Sequence, residues 1–359
     1  MARMDSFLRL VVEQKASDLH FLAGHRPLIR HDGELVPIPF RSLTDIEARR
    51  FLFEILTPEQ RARLEAEEEV DFAYDLPGVG RFRANVFLQS NGTGAVFRVI
   101  PETPPELSDL RLPSAVRRIL DLPNGLVLFC GPTGCGKSTT QAALIHELNR
   151  TRPLHIVTIE DPIEFIHPPQ RAVLTQRQVG KHVASFEGAL RSALRESPDV
   201  VLVGELRDLE TIQLALSAAE TGVLVFGTLH TGSAAKSIDR IVDAFPDAQA
   251  DQVRGVLSVI VRAVVSQRLV RKASGEGRVA AIELLFVTTG VANMIRENKA
   301  YQIDAMLQSM DPASGMQSLD RHLLELVRDR QITPEQALKN AVYPQVFNEL
   351  LREQEFLDS

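Results

Sequence analysis

The feature that most restricts how this chain can fold is GPTGCGKS, Gly131–Ser138. An apolar run, LVLFC, precedes it and a helix-forming run, QAALIHELNR, follows, so the segment must pass from strand to loop to helix. The spacing fits GxxxxGK[ST]. Glycines let backbone N–H groups curl around phosphates, and the helix N-terminus adds partial positive charge. Gly131, Pro132, Thr133, Gly134, Cys135, Gly136, Lys137, Ser138 and Thr139 are therefore the residues expected to cradle ATP. Lys137 is placed to reach the β- and γ-phosphates and Ser138 to ligate Mg²⁺. Cys135 stands where the loop requires only something small.

Three further motifs leave the ends of apolar runs. In DVVLVGELRD, Asp199–Asp208, Gly204 stands where a metal-holding strand normally ends in Asp. Glu205 is then the acid at the strand tip, expected to serve the metal through water. In TIEDPIEF, Thr158–Phe165, the acids Glu160, Asp161 and Glu164 cluster near a turn bent by Pro162, which keeps Asp161 out of helical geometry. One of them is expected to orient or deprotonate the attacking water. In VFGTLHTGSA, His230 terminates another buried strand and is placed to sense the γ-phosphate. In a parallel sheet such strand ends converge on one ligand crevice.

The run of strands and helices gives an α/β fold class. Residues 5–100 alternate short amphipathic helices with strand-like runs such as RFRANVFLQ and GAVFRVI. PETPPELSDLRLP, 101–113, reads as a linker because its prolines sustain neither helix nor sheet. From 114 to about 290, strands, Gly-rich loops and helices repeat, which predicts a mostly parallel sheet covered on both faces. Residues 291–359 read as helical, with one helix opened by Thr333-Pro334. The most apolar helical window, Val253–Leu269, is interrupted by Arg254, Arg262 and Gln267 and is too polar to span a bilayer.

Composition narrows the function classes. The formal net charge is −7 and there is no Trp, which argues against gripping nucleic-acid backbones or stacking on bases. Glu65–Asp71 reads as a solvated acidic face. The two cysteines, Cys130 and Cys135, cannot make a four-cysteine zinc site and fit a reducing cytosol.

The four motifs, in this order, resemble the secretion and pilus ATPase superfamily, and within it the type IV pilus retraction ATPases. The resemblance extends through ASDLH, RPLIRHDGE, GVGRFRANVF and VFRVIP, then RSALRESPDVVLVGELRDLET, AETG and GMQSLD. It implies a PAS-like N-terminal α+β domain over 1–100. A RecA-like ATPase domain over 114–290 and packed C-terminal helices would follow. It further implies a homohexamer at the cytoplasmic face of the inner membrane, meeting the membrane only through a pilus platform protein. A paralogous retraction ATPase is an additional implied partner, and nucleic acid is not. Glu164 matches the family's catalytic glutamate, Glu205 its Walker B glutamate and His230 its His-box histidine. Arg81, Arg83 and Arg98 match the arginines from which the family draws its arginine fingers, and the sequence does not rank them. Two positions depart from the family: Val223 replaces a second histidine after AETG, and Ala292 replaces the first arginine of a C-terminal motif. These departures leave open an accessory nucleotide-binding paralogue. Assembly ATPases, which are longer and often carry four cysteines, and DNA translocases are the other readings.

Overall fold

The computed structural model describes residues 2–31, 34–66, 68–100, 103–310 and 312–355. Pro101 and Glu102 of the expected linker, Asp32 and Gly33 of RPLIRHDGE, Glu67 of the acidic run and 356–359 lie outside them. The fold is mixed α/β and separates into two compact units: Met1–Thr103 with Pro162–Ile166, and Pro104–Asp161 with His167–Ser359.

The first unit is built on a sheet whose described strands are β1 (Asp18–Leu22), β2 (Leu28–His31), β3 (Glu34–Pro37), β4 (Val70–Leu76), β5 (Gly80–Gln89) and β6 (Gly92–Ile100). Their order is β3-β2-β1-β6-β5-β4 with every pairing antiparallel. Helices α1 (Met4–Glu13), α2 (Asp45–Phe53) and α3 (Pro58–Glu65) accompany it. Both α2 and α3 begin with complete capping boxes, Thr44 with Glu47 and Thr57 with Gln60, which satisfy otherwise orphan N–H groups. Phe7 meets Phe21, Phe40 and Phe51 edge-on at centroid distances of 5.1, 5.2 and 5.7 Å, fixing α1 and α2 over the core.

The second unit contains β7 (Gly125–Cys130), α4 (Lys137–Thr151), β8 (His155–Glu160), β9 (Val173–Gln178), α5 (Phe186–Ala193), β10 (Val200–Val203), α6 (Leu209–Glu220) and β11 (Leu224–Leu229). Helices α7 (Ala234–Val242) and α8 (Ala250–Ile260) follow, then β12 (Val261–Arg271) and β13 (Arg278–Phe286). The strand order is β13-β12-β7-β11-β10-β8-β9, parallel except for the β12–β13 pair. Strands β7, β10 and β11 are buried throughout, as continuous apolar strands between helical layers must be.

The structure corrects one reading of the sequence. Val253–Leu269 is not a helical window: α8 ends at Ile260 and β12 begins at Val261. Val261, Val264, Val265 and Val270 of β12 are β-branched, stiff at χ1 and better accommodated on a pleated surface.

Helices α9 (Thr289–Arg296), α10 (Gln302–Ser309), α11 (Leu319–Arg328), α12 (Pro334–Asn340) and α13 (Pro344–Glu355) complete the chain. Val270, Val279 and Ala281 of the β12–β13 hairpin share a small core with Leu319, Leu323 and Ile332. Among the described residues no helix is long and apolar enough to cross a membrane.

Candidate functional site

Parallel pairing carries β7, β8, β10 and β11 in one direction, so their C-terminal ends share one sheet edge. The loop Gly131–Gly136 leaves β7 there and enters α4. Gly134 and Gly136 have φ of 75° and 92°, and Gly136 caps α4 in the left-handed region. Lys137 is buried, and its ammonium donates to the carbonyls of Gly131 (2.7 Å) and Pro132 (3.0 Å). The lysine is therefore held inside the loop by neutral acceptors, which attract the ammonium less strongly than an anionic phosphate oxygen would. Cys135 is buried within the loop, and burial pushes its thiol above the ordinary value. The buried Cys130 thiol is pushed up to about 11 for the same reason, so neither sulfur is poised for nucleophilic or redox work.

Glu205 follows β10 and has a partner at each of its carboxylate oxygens. Arg207 Nε lies 2.7 Å from one carboxylate oxygen and His230 Nε2 lies 3.4 Å from the other. His230 leaves β11, the neighbour of β10, and Val203 pairs with Gly227 in register, so both residues emerge at one level. Gly204 has a steric reason. A Cβ there would lie 3.1 Å from the Ile159 carbonyl oxygen and 3.3 Å from Glu160 Cα, while its N–H donates to Ile159 O at 2.8 Å. Glu160, at the end of β8, accepts from the Thr158 hydroxyl at 2.7 Å and from the Gln176 amide at 3.5 Å.

The TIEDPIEF acids divide between the two units. Pro162 ends the strand geometry of β8, and Pro162–Ile166 groups with the first unit. Glu164 lines a cavity of about 230 Å³ with Asp75, Gly78, Arg81 and Ile166. Glu160 and Asp161 remain with the second unit.

Each of the three arginines has an aspartate. Arg81 Nε is 3.0 Å from Asp75, with a side chain only 10% exposed; Arg83 is 4.0 Å from Asp71. Arg98 is 2.8 Å from Asp18, with a side chain 67% exposed. Arg83 and Arg98 are directly opposed on β5 and β6, and Asp18 and Arg30 extend the same cross-strand row. Like charges opposed in this way repel, and the row is held by Asp18 between Arg98 and Arg30. Burial alone would raise the Asp18 carboxyl, but the Ser17 hydroxyl and the Arg98 guanidinium outweigh it and hold it below the usual range.

Several residues that brace this geometry are not among those the motifs single out as site residues. Gln267 of β12 donates to the Cys135 carbonyl at 2.7 Å and accepts from the Thr140 hydroxyl at 2.9 Å. Gln141 and Thr228 bond reciprocally at 3.1 and 3.2 Å, joining α4 to β11. Glu283 of β13 accepts from Ala234 N–H at 2.7 Å at the start of α7, just beyond His230. Their one sequence signal was Gln267 itself, a polar interruption in an otherwise apolar run.

The donor set fits Mg²⁺. A P-loop serine hydroxyl and one strand-end carboxylate suffice, because phosphates and water supply the other oxygens. Among the described residues no group of three or more His, Cys, Asp or Glu is arranged to hold a metal ion.

Val223 and Ala292 fall elsewhere. Val223 immediately precedes β11, seven residues and roughly 20 Å of extended chain from His230. It lines a cavity of about 480 Å³ with Leu120, Leu148, Arg152, Asp199 and Val200 at the opposite sheet edge. Ala292 is half-buried on α9.

A phosphate cradle at the head of a helix, with an acid and a histidine on neighbouring strand ends, defines a P-loop nucleoside triphosphatase. The chain belongs to the family described as Type II/IV secretion system protein, which matches over residues 2–314. It is 48% identical over 336 residues to a twitching motility protein of Neisseria gonorrhoeae, covering 94% of this chain and 90% of that one. It is also 48% identical over 340 residues to the type IV pilus retractation ATPase PilT of Pseudomonas aeruginosa, covering 95% and 98%. Its fold matches a crystal structure of the pilus retraction motor PilT with bound ADP, with a TM-score of 0.85 and 43% identity over 95% of this chain and 97% of that one.

Proposed function

We infer that this chain is an ATPase that drives retraction of type IV pili. The observation that carries the reading is full-length similarity to retraction proteins joined to an intact site: a cradle containing Lys137, and the Glu205–His230 pair beside it. ATP is the substrate. Ser138 and Glu205 would hold Mg²⁺, which would neutralise charge on the phosphates when bound.

The protein's own groups supply the rest. Lys137 leaves its two carbonyl partners to take the β- and γ-phosphate oxygens. His230 shares Glu205 with Arg207 and can exchange that contact for one to the γ-phosphate. Glu164 is proposed to orient the attacking water or accept its proton. Arg81, Arg83 and Arg98 supply the arginine finger to a neighbouring subunit, which makes a homohexameric ring the working form. In this reading the first unit is a PAS-like domain and the second RecA-like. Hydrolysis turns one against the other at the cytoplasmic face of the inner membrane, beneath a pilus platform protein and beside a paralogous ATPase.

Deleting the chain from its native host tests the direction of work. Unretracted surface pili should accumulate, and loss of pili would instead assign it to assembly. Purified protein that binds ATP without turning it over would make it an accessory paralogue, and stimulation by DNA would make it a translocase.

A further inference from the structure

The strongest unassigned feature lies beside the cradle rather than in it. Strand β12 pairs in parallel with β7, Ser266 opposite Cys130, so Gln267 stands level with the first residue of the phosphate loop. It is 3% exposed, and a buried amide must find partners for both of its ends. Both partners belong to the cradle. The NH₂ donates to the Cys135 carbonyl, and the oxygen accepts from Thr140 in the first turn of α4.

Two loop glycines trace to the same strand. A Cβ at Gly131 would stand 2.3 Å from the Gln267 carbonyl oxygen, and one at Gly136 would stand 2.6 Å from the Gln267 side-chain nitrogen. The loop is therefore pressed against β12, which any side chain at 131 or 136 would prevent.

The peptide geometry has a chemical consequence. In a trans peptide the C=O and N–H point in opposite directions. Holding the Cys135 carbonyl toward β12 turns the Gly136 N–H away from it, available to an anion. The bond to Thr140 fixes the helix turn whose N-terminal amides complete the nest.

The preceding residue faces the other way. The Ser266 hydroxyl donates to Gly232 O at 3.3 Å, and Glu283, its partner in register on β13, accepts from Ala234 N–H. Successive residues of one strand thus hold the phosphate loop and the loop after His230.

We propose that Gln267 is a positioning residue of the phosphate cradle, fixing the Cys135–Gly136 peptide and the first turn of α4 to receive the phosphates of a nucleoside di- or triphosphate. This rests on the ATPase reading above. Because the lock acts on the cradle before any bond is broken, it serves substrate and transition state alike and belongs to binding rather than turnover.

The test uses the full chain and a fluorescent N-methylanthraniloyl-ADP titration, alongside steady-state ATP hydrolysis and unfolding without nucleotide. Gln267→Met keeps the shape and deletes two hydrogen bonds, so ADP affinity should fall roughly tenfold. KM for ATP should rise by a similar factor while kcat changes little. Thr140→Val, which removes one of the two bonds, should fall between that variant and wild type. Unchanged ADP affinity in Gln267→Met, or a loss confined to kcat, overturns the proposal. If Gln267→Met does not fold, Thr140→Val decides: affinity equal to wild type overturns the proposal and a measurable loss supports it. Wild-type protein that fails to bind ADP would sink the ATPase reading itself, whereas equal binding by wild type and variant sinks this inference alone.

Discussion

His230 approaches Glu205 from the adjacent strand, Nε2 to Oε1 at 3.4 Å, while Arg207 occupies the other carboxylate oxygen at 2.7 Å. The pair puts an acid and an imidazole side by side where the β10 and β11 strands end. Glu205→Gln preserves the shape but removes the charge proposed to draw Mg²⁺. We expect kcat to fall by about 10²–10³, the usual cost of deleting one preorganised electrostatic group, with ADP affinity nearly unchanged. Phosphate release and ADP titration on the same preparation check this.

Glu164 tests the chemistry from the other unit. If it handles the water, Glu164→Gln should lower kcat by about 10²–10⁴ and leave nucleotide binding intact. Lys137→Ala should instead weaken binding and turnover together, because in the proposed role the ammonium would contact ground state and transition state alike. Normal turnover in Glu164→Gln would remove it from the mechanism.

Glu283 makes stability depend on pH. Burial pushes its carboxyl up to about 7; the Ala234 N–H and Arg268 oppose that shift and Asp304 and Asp320 add to it. Between its ordinary value of 4.5 and about 7, the folded chain keeps a proton that the unfolded chain has released. Stability from this group is therefore present at low pH, falls as pH rises through that window and is level above it. Glu283→Gln retains an acceptor for Ala234 and should be more stable than wild type by about 2–3 kcal/mol at pH 8, with no difference near pH 4.5. His167 and His322, both driven by burial down to about 4, act in the opposite sense and cost stability as pH falls below 6.5. Urea midpoints of wild type and variant at several pH values separate these contributions.

Val223→His introduces the imidazole that the resemblance to the retraction ATPases leads one to expect at this position. The side chain would enter the cavity at the far sheet edge, beside Arg152 and Asp199. Turnover should stay within about twofold of wild type, as for a substitution away from the chemistry. A change above tenfold in the hydrolysis assay would show that the far edge contributes to the reaction.

The cradle, its flanking strand and its helix were legible because their chemistry demands particular residues at fixed spacing. Glu205 and His230 were legible as strand ends, but their contact depends on β10 and β11 being neighbours, which no local pattern encodes. Gln267 was visible only as a blemish in an apolar run, because periodicity cannot mark a helix that passes directly into a strand. The opposition of Arg83 and Arg98 needed the β5–β6 register, and Glu164's place beside Arg81 needed long-range packing around Pro162.

The bond from Gln267 to Cys135 spans 132 residues and that to Thr140 spans 127. A ribosome therefore delivers the phosphate loop long before it delivers the strand that braces it. With domains folding as units during synthesis at roughly 5–20 residues per second, the loop waits several seconds in an unbraced state. Nucleotide capture then marks completion of the sheet, and a chain truncated before Gln267 carries the whole GPTGCGKS signature while lacking the brace.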